Sequence, residues 1–324
     1  MPRLVGLSDV VAKVELTLTE RATADFGPLE HRPPRVTCRG RVLRVFKGDR
    51  ALEGQDLTWT ARDWAARPDR PALEAGPAGI ALLVEVDPDG TLAATHDTGG
   101  FIRLPPGPDP LEPPPADPVE ATKAELLRCL AGEDWGLASA AAARLGFFPR
   151  DKTTEEALTE LLHRLEPGLA LVACAALVRT GAPRGVQAAV DLLRAPLPLD
   201  PESRRARRSL INRLADLTDD RHLKHLVALI ESGEADVRAG MAHALGEMAS
   251  PEAVQALGEA LWDADQMVRY RVITSLAEIT MIRGHVPLPP VYREQEDVYL
   301  AFWRKWYEEV GKPGVEEPDG AQDE

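Results

Sequence analysis

The chain has 324 residues, of which 44% are hydrophobic and 28% are charged, and its formal net charge is −14 at pH 7. This length and composition suit a globular protein with room for two domains. Binding to a nucleic-acid backbone needs clustered lysine and arginine, so the acidic balance predicts no nucleic-acid partner and favours basic or neutral partners. Cys38, Cys129 and Cys174 are too scattered for a disulfide framework or a Cys-x-x-Cys zinc motif, which predicts a reducing compartment.

No stretch approaches the roughly 18 apolar residues that a membrane-spanning helix needs, so we expect no membrane span. No signal peptide is visible after Met1. We therefore expect a cytoplasmic protein, or a cell-envelope or exported one if an export signal precedes this sequence.

Residues 1–104 have the pattern of a small β-domain. Between Val10 and Thr19, apolar side chains alternate with increasingly polar ones, which is the period of a half-buried strand. Turn signals separate the further strands that we predict, at 35–46, 57–60, 79–86, 91–94 and 101–104. Five or six short strands in about 100 residues are typical of a small barrel or sandwich.

Three strings, 8–11, 42–48 and 79–84, resemble the netrin-like, OB-type barrels that bacterial proteins place ahead of other modules. The resemblance covers about residues 5–104 and implies a small β-barrel. The metalloproteinase-inhibitor branch of that family chelates zinc through an N-terminal cysteine, whereas this sequence has Met1 and Pro2 there. The resemblance therefore does not imply protease inhibition by that route.

Residues 105–118 contain eight prolines. Such a segment favours an extended, semi-rigid spacer, so we predict a linker between two modules. The alternative is a docking motif, because the segment contains the Pro-x-x-Pro spacing that aromatic grooves bind.

Five leucines, each eight residues after an apolar or small anchor, mark a repeat within residues 119–280. The leucines are Leu145, Leu177, Leu214, Leu245 and Leu276. The anchors are spaced by 32, 37, 31 and 31 residues, and they are Leu137, Leu169, Ala206, Val237 and Val268. This period is typical of an α-solenoid, in which each repeat buries its apolar face against its neighbours. We predict about five pairs of an A helix and a B helix, with the anchor and its leucine on the B helix.

The strings 235–238, 244–246 and 250–254 resemble short bacterial HEAT repeats of about 31 residues. The resemblance covers about 160 residues and implies a stack of helix pairs that binds a partner along its B helices. The iron ligands of the HEAT-like di-iron hydroxylases are His-Glu pairs, and this sequence contains no His-Glu dipeptide. Phycobilin lyases also use short HEAT repeats and have no motif that decides for or against them.

One more helix is predicted between residues 281 and 310. Its aromatic residues lie on one helical face and are Tyr299, Phe302, Trp303, Trp306 and Tyr307. A cap that covers the last repeat explains them better than an exposed docking site does. The acidic tail, 311–324, lacks aromatic residues and is predicted to be disordered.

Six arginines are candidate partner-binding residues: Arg204, Arg205, Arg207, Arg208, Arg238 and Arg269. Three of them, Arg207, Arg238 and Arg269, directly follow an anchor. The alternative for these three is the internal ladder of HEAT arrays, in which an aspartate of the preceding turn pairs with the arginine. Asp263 fits that role best, because the equivalent positions hold Ser232 and Pro201.

Arg204, Arg205 and Arg208 form the densest basic cluster with Arg207, and Arg204 and Arg208 point away from the apolar stripe of their helix. In an acidic protein this local reversal of charge is the best candidate for binding an acidic partner. The alternative is a solvated surface whose arginines pair with nearby acids.

Two further groups are candidates for a ligand or a metal. The candidate ligand loop contains Trp59, Asp63, Trp64 and Arg67. His222 and His225 are three residues apart on one helix and could hold a metal, although a capped helix start explains them without one. The sequence has no Gly-x-Ser-x-Gly, Walker-type, Gly-x-Gly-x-x-Gly or His-Glu-x-x-His motif, so we expect no catalytic residues and no cofactor.

These features predict a non-catalytic adaptor or scaffold that binds a protein partner in the groove of its repeats. The alternative is an enzyme or ligand carrier, for example lyase-like, with its site in the β-domain or in the cleft between the modules. A deep pocket at Trp59 and Trp64 would favour the enzyme or carrier.

Overall fold

The computed structural model describes residues 2–21, 35–62, 78–85, 92–94, 101–104, 115–164, 166–194, 200–217, 219–232 and 234–312. The chain divides into two compact units, Met1–Ala157 and Leu158–Glu324. Most of the proline-rich segment, 105–114, and the tail beyond residue 312 lie outside the described residues, and so do the predictions made for them.

The first unit contains six strands among its described residues. They are β1 (Val10–Arg21), β2 (Arg35–Lys47), β3 (Asp56–Arg62), β4 (Ala78–Glu85), β5 (Leu92–Ala94) and β6 (Phe101–Arg103). The order along the sheet is β1-β2-β3-β5-β4, and β1 also pairs with β4, which closes a five-stranded barrel. β3 and β5 pair in parallel, and β6 pairs antiparallel with β4. The barrel confirms the predicted β-domain.

A short helix, α1 (Pro2–Leu7), precedes the barrel and was not predicted from the sequence. Its last carbonyl groups would lack partners within the helix. Lys47 supplies them, because its Nζ donates to the carbonyl oxygens of Gly6 at 2.9 Å and Val5 at 3.3 Å.

Two helices, α2 (Pro118–Ala131) and α3 (Trp135–Leu145), also belong to the first unit. A buried ion pair joins α2 to the barrel, because Lys13 Nζ on β1 lies 3.1 Å from Glu125 Oε1 on α2. The second oxygen of Glu125 accepts a hydrogen bond from Arg128 Nε at 3.0 Å. Both carboxylate oxygens of this buried side chain therefore have cationic partners.

Nine further helices follow among the described residues. They are α4 (Lys152–Leu161), α5 (Pro167–Arg179), α6 (Pro183–Arg194), α7 (Pro201–Ala215), α8 (Leu223–Ile230), α9 (Ala235–Met248), α10 (Val254–Glu259), α11 (Gln266–Thr280) and α12 (Pro289–Trp306). In the second unit the B helices α5, α7, α9 and α11 contact one another in chain order, while the A helices α6, α8 and α10 pack against them. No helix among the described residues is long and apolar enough to cross a membrane.

The leucines of the repeat are buried as the sequence predicts. Leu145 in the first unit and Leu177, Leu214, Leu245 and Leu276 in the second have no exposed surface. The four in the second unit lie on consecutive B helices, so the repeat in the sequence corresponds to a row of contacts in the fold. This observation confirms the α-solenoid type of architecture.

A small residue after the leucine permits one close helix contact. Ser275 on α11 lies against Gly246 on α9, and its Oγ donates to the carbonyl oxygen of Ala242 at 2.7 Å. A Cβ at position 246 would meet Ser275 Oγ at 2.5 Å, which is closer than side chains can approach. Glycine is therefore required where α9 and α11 touch.

The aromatic helix α12 covers the end of the second unit. Trp303 is fully buried and its Nε1 donates to the carbonyl oxygen of His285 at 3.0 Å. Tyr307 is also buried, and its ring occupies the space that glycine leaves at Gly258 on α10. Since Tyr299, Phe302 and Trp306 pack on the same core, the whole aromatic face contributes to that core.

Candidate functional site

The arginine after the fourth anchor holds two repeats together. Arg238 on α9 donates from Nε and Nη2 to the two carboxylate oxygens of Asp263, at 2.6 and 2.9 Å. Its Nη1 donates to the carbonyl oxygen of Ser232 at 3.0 Å. Asp263 lies in the turn of the next repeat, so this two-pronged contact links the fourth repeat to the fifth.

The two equivalent arginines make the same kind of link. Arg269 Nε donates to Glu296 Oε1 on α12 at 2.7 Å, and its Nη1 donates to the carbonyl oxygen of Asp263 at 2.6 Å. Arg207 is buried and pairs with Asp236 and Glu234, which belong to the next repeat. The ladder therefore exists, but each arginine pairs with the carboxylate that follows it along the array. The predicted pairing with an aspartate of the preceding turn is wrong, since the carboxylate of Asp263 pairs with Arg238.

Pairing lowers the pKa of two acids in the ladder, Asp263 and Glu296. Burial by itself would raise the pKa of Asp263, but hydrogen bonds from Arg238 and the Asp265 amide, with the charges of Arg238 and Arg269, lower that pKa below its ordinary value. The pKa of Glu296 is lowered in the same way, since hydrogen bonds from Gln266, Arg269 and Tyr292 outweigh its burial. Both acids are therefore carboxylates at neutral pH.

This pairing predicts how stability depends on pH. Because the pKa of Asp263 is lower in the folded state, its contribution is complete above about pH 5 and is lost as the pH falls through that lowered pKa. We expect Asp263→Asn to cost about 1–3 kcal/mol of unfolding free energy at pH 7, and the cost to shrink below about pH 4. Urea unfolding across pH measures it. Asp297→Asn, which removes an exposed acid on α12, is the control, and equal effects of both variants would contradict the ladder.

The other three candidate arginines lie on the surface of the B helix α7. Arg204, Arg205 and Arg208 are exposed, while Arg207 between them is buried. Among the described residues, Arg205 and Arg208 have no ion pair or hydrogen bond of their side chains. The structure thus separates the six candidates into three internal links and three surface cations. A role in partner binding stays a prediction for all of them.

The two candidate metal ligands lie side by side. The ring centroids of His222 and His225 are 6.3 Å apart. Burial lowers the pKa of His225, and the neighbouring charges of Lys224 and His222 add to that effect. The part of the chain that the structure describes contains no cluster of three side chains able to hold a metal ion.

The candidate ligand loop is described only at its first residue. Trp59 is buried in the barrel core and stacks on Phe101 with ring centroids 6.4 Å apart. Gly40 makes room for it, since a Cβ there would lie 3.3 Å from the indole ring. Trp59 thus fills the core of the barrel. Asp63, Trp64 and Arg67 lie outside the described residues.

One feature that we did not predict is a groove on the A-helix side of the second unit, between α8 and the segment 251–263. Its volume is about 410 Å³. The residues that line it are Val227, Ile230, Glu231, Glu252, Gln255, Ala256, Glu259, Ala260, Trp262 and Asp263. The one signal in the sequence is a tryptophan beside acidic residues in the turn that starts at Trp262, and that signal is not specific.

One family model matches part of the chain, and several solved structures are similar to it. Residues 198–277 match the family model for HEAT repeats, and no curated protein matches the chain at a significant level. Among solved structures, the complex of CpcE and CpcF of phycocyanin lyase from Nostoc sp. PCC7120 is 20% identical, with a TM-score of 0.38, over 53% of this chain and 68% of that chain.

Two engineered proteins from the Northeast Structural Genomics Consortium are also similar. One is 19% identical with a TM-score of 0.35, over 56% of this chain and 93% of that chain. The other is 20% identical with a TM-score of 0.36, over 61% of this chain and 56% of that chain. The buried leucine repeat and the match over residues 198–277 show that the described helices have a HEAT-like repeat arrangement.

Proposed function

We propose that the protein is a non-catalytic adaptor that binds an acidic segment of a protein partner along the B helices of its repeats. The observation that carries this proposal is the contrast on α7. Arg207 is used inside the fold, whereas Arg205 and Arg208 are exposed and have no ion pair among the described residues. Cations that the fold does not use are available to a partner.

The net charge of the chain restricts where an acidic partner can bind. A formal net charge of −14 repels acidic proteins in general, so an acidic segment is attracted only where cations are concentrated. Guanidinium groups bind carboxylates through two parallel hydrogen bonds, which makes arginine better suited than lysine to this recognition. α7 is also a long B helix with Asp200 capping its first turn, since the Asp200 side chain accepts from the amides of Glu202 and Ser203. The arginine cluster therefore lies on a helix whose first turn is stabilised by a capping carboxylate.

The test is the charge-reversal variant Arg205→Glu/Arg208→Glu. We expect it to lose the partners that the wild type recovers by affinity purification from the native host, with a melting temperature unchanged within about 2 °C. Both side chains are exposed, so the fold does not depend on them.

The matched control is Arg184→Glu/Arg293→Glu, which makes the same change of charge at exposed positions on α6 and α12. It should keep partner recovery. If the two variants recover the same proteins as the wild type, α7 is not the binding surface and the proposal is wrong.

A further inference from the structure

We propose that the groove between α8 and the segment 251–263 is a second binding surface, and that its occupant is a basic segment of a partner protein that inserts an arginine side chain. This surface is separate from the one on α7. It lies in the layer of A helices and has the opposite charge.

The charge of the groove selects a cation. Three of its lining residues, Glu231, Glu252 and Glu259, are exposed carboxylates, and none of its lining residues is basic. A fourth carboxylate, Asp263, is already paired with Arg238. Gln255 Nε2 donates to Glu259 Oε1 at 3.1 Å, which orients that carboxylate at the rim. A basic side chain that enters therefore has carboxylates from both walls of the groove to pair with.

An aromatic ring adds a specific contact for arginine. Trp262 lines the groove and is 48% exposed, so part of its surface can contact a ligand. Its ring already accepts one guanidinium, because the Arg304 Cζ lies 5.3 Å from the ring centroid. Arg304 is itself held by the carbonyl oxygen of Leu261, at 2.8 Å from Nη2. The exposed remainder of the ring is available for a second cation.

Part of the groove lining is apolar. Val227, Ile230, Ala256 and Ala260 line it and are less exposed than its three glutamates. Arginine and lysine bury their aliphatic stems on such surfaces while their charged ends stay at the rim. A volume of about 410 Å³ accommodates one or two long side chains and excludes a folded domain, so the occupant is an extended segment.

The experiment uses the full chain and a fluorescein-labelled peptide of alternating glycine and arginine, seven residues long, with binding measured by fluorescence anisotropy. We expect Glu252→Gln/Glu259→Gln to weaken binding roughly tenfold. Because the whole chain is acidic, any cationic peptide is attracted non-specifically. The control Glu278→Gln/Glu294→Gln removes the same charge from exposed positions on α11 and α12, and it should weaken binding less than about twofold.

The contribution of the ring is tested separately. Trp262→Leu should weaken binding of the arginine peptide roughly threefold or more. It should also remove the preference for that peptide over a lysine peptide of equal length. If Trp262→Leu does not fold, the comparison of Glu252→Gln/Glu259→Gln with Glu278→Gln/Glu294→Gln decides whether the groove binds the peptide.

Three results would overturn the proposal: equal weakening by the two glutamine pairs, no binding by the wild type, or a dimer in sedimentation that Glu252→Gln/Glu259→Gln dissolves. The last result would assign the groove to a second copy of this chain. Arg205→Glu/Arg208→Glu adds negative charge to the chain and should not weaken peptide binding, so the two binding surfaces succeed or fail independently.

Discussion

Replacing Glu125 with alanine is expected to lower the free energy of unfolding of the first unit by about 3–5 kcal/mol, the largest effect of any polar substitution considered for this chain. Glu125 is fully buried on α2, and its partner Lys13 is almost fully buried on β1. Removing the carboxylate takes away the partner that the buried Lys13 ammonium has on α2, and leaves Arg128 without this acceptor. Urea unfolding followed by circular dichroism measures the loss.

The control separates the loss of this ion pair from the loss of packing. In Lys13→Met/Glu125→Leu both charges of the pair are replaced by apolar side chains, so neither of the two is buried without the other. We expect this double variant to recover most of the stability that Glu125→Ala loses, because the desolvation cost of both ions disappears. A loss below about 1 kcal/mol for Glu125→Ala alone would show that the pair does not join α2 to the barrel.

Replacing Leu245 with alanine is expected to cost about 2–5 kcal/mol of unfolding free energy. Leu245 on α9 has no exposed surface and belongs to the hydrophobic core of the second unit. The substitution removes apolar contacts and leaves a cavity, because α7 and α11 hold α9 on both sides. Thermal and urea unfolding of the full chain measure the change.

The matched control is Leu288→Ala, since Leu288 is 72% exposed just before α12. The same chemical change should cost less than about 0.5 kcal/mol there. If Leu245→Ala is no more harmful than Leu288→Ala, the repeated leucine is not part of the core and the repeat has another cause.

The strands and the repeat could be predicted because each follows from a short-range pattern. The six strands come from a period of two residues, and the five buried leucines come from a recurring eight-residue spacing to an anchor on the same helix; burial on one face imposes both patterns. The aromatic stripe of α12 has the same origin. These parts of the fold needed no knowledge of distant contacts.

The polar contacts could not be predicted, because their partners are far apart in the sequence. Lys13 occupies the face of β1 that the alternation marks as polar, yet it is buried by α2 and paired with Glu125. A period of two shows which face of a strand is polar, but it does not show whether that face contacts water or a buried carboxylate. The partners of Arg207 were also missed. They are Glu234 and Asp236, which lie almost 30 residues further along the chain, at the start of the next B helix.

The groove at Trp262 was missed for a related reason. Its two walls come from α8 and from the segment 251–263, and neither has a distinctive motif. Only the stacking of consecutive A helices brings Glu231 near Glu252 and Glu259, so the site depends on the geometry of the array rather than on a local string.

Site-specific photo-crosslinking in the native host shows whether partners bind on the B-helix surface of α7. A photoreactive residue replaces Arg208 in one variant and Gln187, an exposed residue on the A helix α6, in the other. We predict discrete crosslinked proteins from position 208 and few or none from position 187. Crosslinks that are equally abundant at both positions, or stronger at position 187, would show that α7 is not the binding surface.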